Sequence, residues 1–331
     1  MDEGDGLTPL TGATRAGLPL AFSRAPCTRL RPWIARMGVT QIDLPEGQAV
    51  GGTILSESAA LRILFGSNWS AVTRDGSQQF EPGSRGMTLL FGPHSHAMRV
   101  NVSGSFSVVT INFTAGAMAA LGGPEPCGIL DRIIDYDAHV GHGRLSDRLH
   151  SVEGVDNWLD AIEREYLKFV EHTAPSQPAQ LITHFENAML GDPTFVLRDF
   201  AAAHSVSQRT LERIVRREMG VTPGLALRRA RALDMAAVLL GVAIKEEEPE
   251  LRLRYFDQSH LIREMRHFFD LTPRQFVEKD HPLLRIGVEM RQVRRIELLE
   301  NIASGELIPW RDPMAEPRPQ RPARKLSRTA S

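Results

Sequence analysis

Residues 255–276 of this chain of 331 residues have the sequence YFDQSHLIREMRHFFDLTPRQF. Leu261, Met265 and Phe268 recur at the spacing of one face of a helix. Asp257 stands where an N-cap residue is expected, and a Thr-Pro pair ends the pattern because proline cannot continue a helix. The stretch therefore predicts a short amphipathic helix with a polar outer face.

The same pattern occurs fifty residues earlier, in HSVSQRTLERIVRREMGVTPGL, residues 204–225. Residues 207–223 and 257–273 are identical at six of seventeen positions. Each copy follows a shorter predicted helix, and residues 225–241 predict a longer helix between the two copies. Helix, tight turn and second helix form the helix-turn-helix arrangement, in which the second helix enters the major groove of DNA. The identical pairs are Gln208/Gln258, Leu211/Leu261, Arg213/Arg263, Arg216/Arg266, Thr222/Thr272 and Pro223/Pro273.

The outer face of each second helix carries side chains that can read DNA bases. Arginine can pair with O6 and N7 of guanine, and glutamine with N6 and N7 of adenine. A solvated face of an all-α domain is the alternative for one copy alone, but two matching copies favour DNA binding. On the joining helix, Arg228, Arg229 and Arg231 are expected to add positive charge. The predicted DNA-binding residues are Gln208, Arg209, Glu212, Arg213 and Arg216 in the first helix and Gln258, Ser259, His260, Arg263 and Arg266 in the second.

The stretch 255–276 resembles the signature of the AraC/XylS family of bacterial transcription regulators. The resemblance covers about 100 residues, from Gln180 to His281. It implies two helix-turn-helix subdomains that are bridged by a long helix and read successive major grooves on one face of the DNA. It also implies an N-terminal β-rich domain that senses an effector or dimerises. The residues that it places toward the bases are Arg209, Glu212 and Arg213 in the first recognition helix and Gln258, Ser259 and Arg263 in the second.

Two features of this sequence depart from the family pattern. The turn of each helix-turn-helix commonly contains glycine, whereas Ser205 and Tyr255 stand at or near those positions here. The first helix of the second module contains an acidic run and Pro249, which a first helical turn tolerates, so the helix is expected to begin near Glu247. Carboxylates repel phosphates, and we therefore expect the acidic run to face away from DNA. Its members are Glu246, Glu247, Glu248 and Glu250.

The N-terminal half has a different pattern. Between residues 30 and 113, short apolar runs alternate with polar residues and are separated by turn residues, which is typical of a small antiparallel sandwich or barrel. Residues 131–172 instead show helical spacing, and a Pro-, Ser- and Gln-containing connector follows them. The sequence therefore predicts an α+β protein, with a β-barrel or sandwich-like sensor domain, a helical linker and an all-α C-terminal domain.

The predicted domain boundaries follow these changes of pattern. They are a disordered N-terminus at residues 1–20, a β-rich sensor or dimerisation domain ending in helices at 21–172, a linker at 173–180, a double helix-turn-helix domain at 181–282, and a C-terminal helix with a disordered, basic, Pro-rich tail at 283–331.

No pattern of catalytic residues predicts an enzyme, and no cofactor or metal is expected. The His94-Ser95-His96 motif invites comparison with cupin metal sites, but Arg99 and Val100 occupy the positions where an acidic ligand is needed. Loop histidines are the favoured interpretation, and contact with a small ligand is an open alternative. If a stacking pocket for a ligand exists, its candidates are Trp33, Trp69 and Phe91, with core packing as the competing role. Two cysteines, Cys27 and Cys127, predict reduced thiols rather than a disulfide framework.

Composition bounds the partners and the compartment. The net charge of −1 averages over domains and does not exclude local basic surfaces. No apolar run is long enough for a membrane span and no secretory signal is evident, so a cytoplasmic, nucleoid-associated protein is expected. The expected partner is double-stranded DNA; a homodimer, a small effector and RNA polymerase are further candidates. The alternatives are an interaction adaptor with a degenerate DNA-binding domain and a cupin-like metal enzyme.

Overall fold

The computed structural model describes residues 6–140, 144–150, 152, 154–245, 248–253, 258–299, 308 and 310–317. The strands in this part of the chain are β1 Thr8–Pro9, β2 Phe22–Arg24, β3 Ile34–Asp43, β4 Val50–Ile54, β5 Ala60–Gly66, β6 Trp69–Thr73, β7 Gly76–Phe80, β8 Gly83–Phe91, β9 Met98–Val102, β10 Phe106–Phe113 and β11 Ile133–Asp135. The helices are α1 Ala117–Ala120, α2 Tyr136–Val140, α3 Val155–Thr173, α4 Gln180–Gly191, α5 Leu197–Ala203, α6 Gln208–Met219, α7 Pro223–Leu239, α8 Glu248–Leu253, α9 Gln258–Phe269, α10 Pro273–Val277 and α11 Pro282–Leu298, with a 3₁₀ turn at Ser146–Arg148. The predicted α+β fold is confirmed.

The N-terminal strands form two antiparallel sheets, and their core lies between the sheets. One sheet has the order β1-β3-β10-β5-β8-β11, with β2 also paired to β3, and the other has the order β4-β9-β6-β7. Alternation along β5 places Leu61 and Ile63 in the apolar cluster that contacts α3, whereas Leu64 joins the cluster between the sheets. The two sheets do not close into a barrel, and the sandwich alternative of the prediction is the correct one.

A tight turn follows β5 and requires glycine. Gly66 has φ 93°, in the left-handed region, and a Cβ atom there would lie 2.7 Å from the carbonyl oxygen of Ser105. Only a residue without a side chain fits this close approach of two backbones.

The segment at residues 6–20 is ordered against the sheet, contrary to the disorder predicted for residues 1–20. β1 pairs with the end of β3, where Thr8 faces Asp43. Leu20 is completely buried, and the Thr11 hydroxyl donates to its carbonyl oxygen at 3.2 Å. Small and polar residues dominate this segment, so its few buried apolar residues did not produce a recognisable pattern in the sequence. Residues 1–5 lie outside the described part of the chain.

The C-terminal helices form two modules around α7. Helices α5 and α6 share one apolar cluster with the N-terminal half of α7, and α9, α10 and the C-terminal half of α7 share a second cluster with α11. Ser205, in the turn between α5 and α6, has φ 55°. It therefore adopts the left-handed conformation that glycine commonly supplies at this position. The described helices include none that is both long and apolar enough to cross a membrane.

Helix α11 joins the two halves of the molecule. It packs along β4 and against α7. Leu283 belongs to the cluster between the sheets, while Leu284 and Val288 belong to the cluster around α7. Farther along the chain, Trp310 is buried, whereas the disordered tail was expected to follow the helix directly; residues 318–331 lie outside the described part.

Candidate nucleic-acid interface

Helix α6 presents a polar face to solvent because its apolar residues are fixed in a core. Ser207 is the N-cap, and its hydroxyl accepts a hydrogen bond from the Thr210 amide at 3.1 Å. Leu211, Val215 and Met219 are buried against α5 and α7. The five residues that the sequence predicted for DNA binding are exposed on the opposite side: Gln208, Arg209, Glu212, Arg213 and Arg216.

Helix α9 repeats this arrangement in the second module. Met265, Phe268 and Phe269 are buried. His260 is only partly exposed, and its Nε2 atom lies 3.8 Å from Oε1 of Glu264. The predicted N-cap, Asp257, lies outside the described residues. The other four predicted residues of this helix are exposed: Gln258, Ser259, Arg263 and Arg266.

An ion pair fixes α9 on the bridging helix α7. The Arg228 guanidinium donates through Nε and Nη2 to the Glu264 carboxylate, at 2.9–3.1 Å. Glu264 is buried and Arg228 is partly exposed, so the pair stands at the edge of the helix contact. The carboxylate can accept both guanidinium donors only in one relative orientation, which restricts rotation of α9 on α7.

The bridging helix contributes less positive surface than the sequence predicted. Arg229 is completely buried, and Arg231 is partly buried and donates to the carbonyl oxygen of Pro193 at 2.9 Å. The expectation that Arg229 adds to the field at DNA is therefore wrong. Its guanidinium faces the β-sheet domain instead, because α7 is packed on almost every side.

The β-sheet domain touches the C-terminal ends of both predicted recognition helices. Gly220, which ends α6 with φ 75°, approaches so closely that a Cβ atom would lie 2.9 Å from the carbonyl oxygen of Pro126. The Ala97 amide donates to the carbonyl oxygen of Phe268 in α9 at 2.7 Å. Arg99 forms an exposed ion pair with Asp270 at 3.4 Å. These contacts leave the N-terminal turns of α6 and α9 uncovered.

The acidic first helix of the second module is described only in part. Helix α8 begins at Glu248, and Pro249 lies in its first turn. Leu251 is buried against the core of this module. Glu246, Glu247, Tyr255 and the side chain of Glu250 lie outside the described residues, so the predicted direction of the acidic run stays a prediction.

The histidine motif in the β-sheet domain has a packing role for its first residue. His94 is completely buried, and its Nδ1 atom accepts from the Ser56 amide at 3.1 Å. Burial, together with the charges of Arg62 and Arg229, lowers the pKa of His94 to about 3. Within the described residues, no group of three or more His, Cys, Asp or Glu side chains could hold a metal ion. Cys27 and Cys127 are free thiols.

Comparison with known proteins gives a family match in the C-terminal region. Residues 200–279 match the model of a helix-turn-helix domain. The match begins within α5 and ends after α10, so it spans both modules and the bridging helix. No curated protein sequence matches the chain.

Solved structures with a similar arrangement have low sequence identity to this chain. ToxT from Vibrio cholerae is 8% identical over 73% of this chain and 98% of its own, with a TM-score of 0.43. The AraC-like transcriptional activator CuxR is 12% identical over 65% and 86%, with a TM-score of 0.28. A cupin domain from Bordetella pertussis Tohama I is 14% identical over 32% and 97%, with a TM-score of 0.21.

The helices that the family match covers have the arrangement of a helix-turn-helix domain. Two capped or proline-stopped helices with buried apolar faces and exposed polar faces are held by one bridging helix. Residues 200–279 are therefore a helix-turn-helix domain of the AraC type, and the chain that carries it is a DNA-binding regulator of transcription.

Proposed function

We propose that this regulator binds one non-palindromic DNA site by inserting α6 and α9 into successive major grooves. The observation that carries the proposal is the matched pair of exposed polar turns, whose helices are both held on α7. The two faces differ in sequence, because Glu212 in α6 corresponds to Ile262 in α9. One protein molecule would therefore read two unlike half-sites about one helical turn apart.

Within this proposal, the residues near the helix N-termini read bases. Gln208 and Gln258 lie exposed on the first turns. Arg213 and Arg263 are also exposed, each four residues after Arg209 or Ser259 and therefore on the same face as that residue. Glutamine suits adenine and arginine suits guanine in the major groove. Arg209, Glu212 and Ser259 are the remaining base-reading candidates, and the exposed Arg216 and Arg266 are placed to approach phosphates.

The β-sheet domain would act as the sensor or dimerisation unit of the regulator. The contacts of this domain with the ends of α6 and α9 support this role, because a structural change in the sheets would be transmitted through them to both helices. A homodimer would place two such sites on one promoter, and RNA polymerase is the further partner of an activator. A cytoplasmic, nucleoid-associated location accords with these partners.

Recovery of genomic DNA by the purified full chain tests the proposal. Fragments bound at about 100 mM salt, where non-specific phosphate contacts are partly screened, would be sequenced. We expect a shared non-palindromic motif with two halves in adjacent major grooves. Fragments without a common motif would contradict sequence reading, and recovery of no DNA at all would favour the adaptor alternative.

A further inference from the structure

A cavity of about 120 Å³ lies between the two sheets and is bordered by α11. Apolar side chains form much of its wall, among them Trp69, Phe106 and Val108 from the sheets and Leu283 from the helix. Engineered cavities of roughly 150 Å³ accept benzene-sized molecules. The space is therefore suited to an organic molecule with a body of about one ring.

Arg62 is the unusual residue of this wall. It lies in the middle of β5, opposite Thr110 of β10 and Leu89 of β8, on the side that faces the core between the sheets. Its guanidinium carbon lies 4.2 Å from the centre of the Phe91 ring. In the described part of the chain, no carboxylate forms an ion pair with Arg62.

The guanidinium of Arg62 is nevertheless charged at neutral pH. Burial lowers the pKa of Arg62 to about 10, and no neighbouring carboxylate offsets this effect. Arg62 is half-buried, and a charge that is partly removed from water gains from a partner. The stacking on Phe91 supplies only part of that gain. An anion in the cavity would supply the missing partner.

The other arginines that border the cavity already have acidic partners. Arg36 pairs with Glu297 at 2.7 Å and Arg294 pairs with Glu186 at 2.9 Å. Arg291 pairs with both Glu57, at 2.7 Å, and Asp234. One guanidinium therefore remains for a ligand, which fits a single carboxylate better than a doubly charged phosphate.

Trp69 provides a second unused donor at the wall. Its Nε1 atom is buried and finds no acceptor among the described residues. Its ring meets Phe106 edge to face, with the ring centres 5.0 Å apart. A ligand that carries oxygen as well as an apolar body would satisfy this donor and lie against both rings.

We propose that this cavity binds a small organic monocarboxylate, with the carboxylate paired to Arg62 and an apolar body of about one ring against Trp69 and Phe106. The proposal rests on the sensor role given above to the β-sheet domain, and it names the chemical class of the effector.

The same wall connects the cavity to the DNA-binding helices. Glu57 and Arg291 border the cavity, and Arg291 also binds Asp234 on α7. The backbone carbonyl of Glu57 accepts from Arg229 of α7 at 2.7 Å. A ligand that shifts Glu57 or Arg291 would therefore act on the helix that carries both recognition helices.

Calorimetric titration of the full chain with benzoate and hexanoate, in the absence of DNA, tests this inference. Benzamide and hexanamide are the neutral counterparts of matched size. We expect saturable binding of at least one carboxylate, and at least about tenfold weaker binding of its neutral counterpart, because only the anion forms a charge-assisted pair. Binding of the neutral amide as tightly as its carboxylate, or no saturable binding of either anion, would overturn the proposal.

Variants locate the ligand at Arg62. Arg62→Gln is expected to weaken carboxylate binding by about tenfold or more, whereas Arg62→Lys retains the charge and part of the affinity. Arg99→Gln, on the exposed part of β9, is the matched control and should bind as the wild type does. Wild-type affinity in a folded Arg62→Gln variant would exclude the assigned site, and the anion selectivity of the wild type remains decisive if that variant does not fold.

Failure of this inference and failure of the proposed function are separable. Carboxylate binding is measured without DNA, and the genomic selection is made without ligand. If the protein selects a DNA motif but binds neither anion, the proposed function stands and the carboxylate effector is excluded. A chain that binds benzoate but selects no motif retains the ligand site alone.

Discussion

Arg229 has no solvent exposure, and its guanidinium donates to the backbone carbonyls of His94 at 2.5 Å and Glu57 at 2.7 Å. Burial lowers the pKa of Arg229 to about 10, so the group remains charged at neutral pH. A cation that sequence reasoning assigned to the DNA surface is instead a link between two domains. The burial of Arg229 could not be predicted from its position on α7, because that helix lacks a continuous polar face that would separate exposed from buried residues.

At the same scale, His94 should make the stability of the protein depend on pH. Its folded-state pKa of about 3 lies below the usual value of about 6.5. Below pH 6.5 the unfolded chain binds a proton that the folded chain does not, so stability is lost as pH falls toward 3. The loss is about 1.4 kcal/mol per pH unit, or roughly 2 kcal/mol between pH 6.5 and 5.

Urea unfolding of the wild type and of His94→Asn at these two pH values measures this contribution. Asparagine retains an acceptor for the Ser56 amide but does not titrate, so the variant should lose less stability on acidification. The exposed residue His172 supplies the control variant, His172→Asn, which should behave as the wild type. An unchanged pH dependence in His94→Asn would show that His94 is not buried as a neutral group.

At the scale of elements, the ion pair between α7 and α9 is expected to hold α9 in position. Glu264→Gln should lower the free energy of unfolding by about 1–2 kcal/mol. The loss is smaller than for a fully buried pair, because Arg228 is 40% exposed and can be hydrated. Chemical unfolding provides the measurement.

The exposed pair of Arg274 and Glu278 provides the matched comparison for this prediction. Its two side chains are at similar distance, 2.8 Å, but both are exposed. Glu278→Gln should therefore change stability by less than about 0.5 kcal/mol. If both substitutions have the same effect, the contact between α7 and α9 does not depend on Glu264.

Local signals predicted the recognition elements. The N-cap at Ser207, the Thr-Pro stops and the apolar spacing are properties of each short segment, and the structure has α6 and α9 where those signals place them. The sandwich of short strands was equally visible in alternation and turns. The ordered segment at 6–20 was not predicted, because β1, its strand of two residues, is too short to show a period.

At the scale of the whole molecule, contacts between distant segments were not predictable. Arg291 reaches Glu57 and Asp234, and Arg36 reaches Glu297, across separations that no sequence period spans. Arg62 left one trace, a single cation within the apolar strand ALRILFG. Of the three aromatic residues considered for a ligand pocket, Trp69 borders the cavity and Phe91 stacks against Arg62. Trp33 lies away from the cavity, and its Nε1 atom donates to the carbonyl oxygen of Ser176.

Arg229→Met should weaken the coupling between the β-sheet domain and the helical domain. The substitution leaves the carbonyl groups of His94 and Glu57 without this donor. The cost is about 1–3 kcal/mol for the buried group and less for that of Glu57, which is only partly buried. Scanning calorimetry should show a lower melting temperature and separation of the unfolding of the two domains. The control is Arg231→Met, since the hydrogen bond from Arg231 to the Pro193 carbonyl stays within the helical domain. A wild-type profile for Arg229→Met would mean that the other contacts, those of α11 and those at the ends of α6 and α9, maintain the coupling without Arg229.

Whether α6 and α9 read separate halves of one DNA site is best measured by sequencing the DNA bound by the wild type, Arg213→Ala and Arg263→Ala in parallel. Each variant should lose about 1–3 kcal/mol of specific affinity and lose base preference in one half of the motif only, with different halves affected. That result would show that α6 and α9 read separate grooves. Two variants that retain the complete wild-type motif would contradict the account.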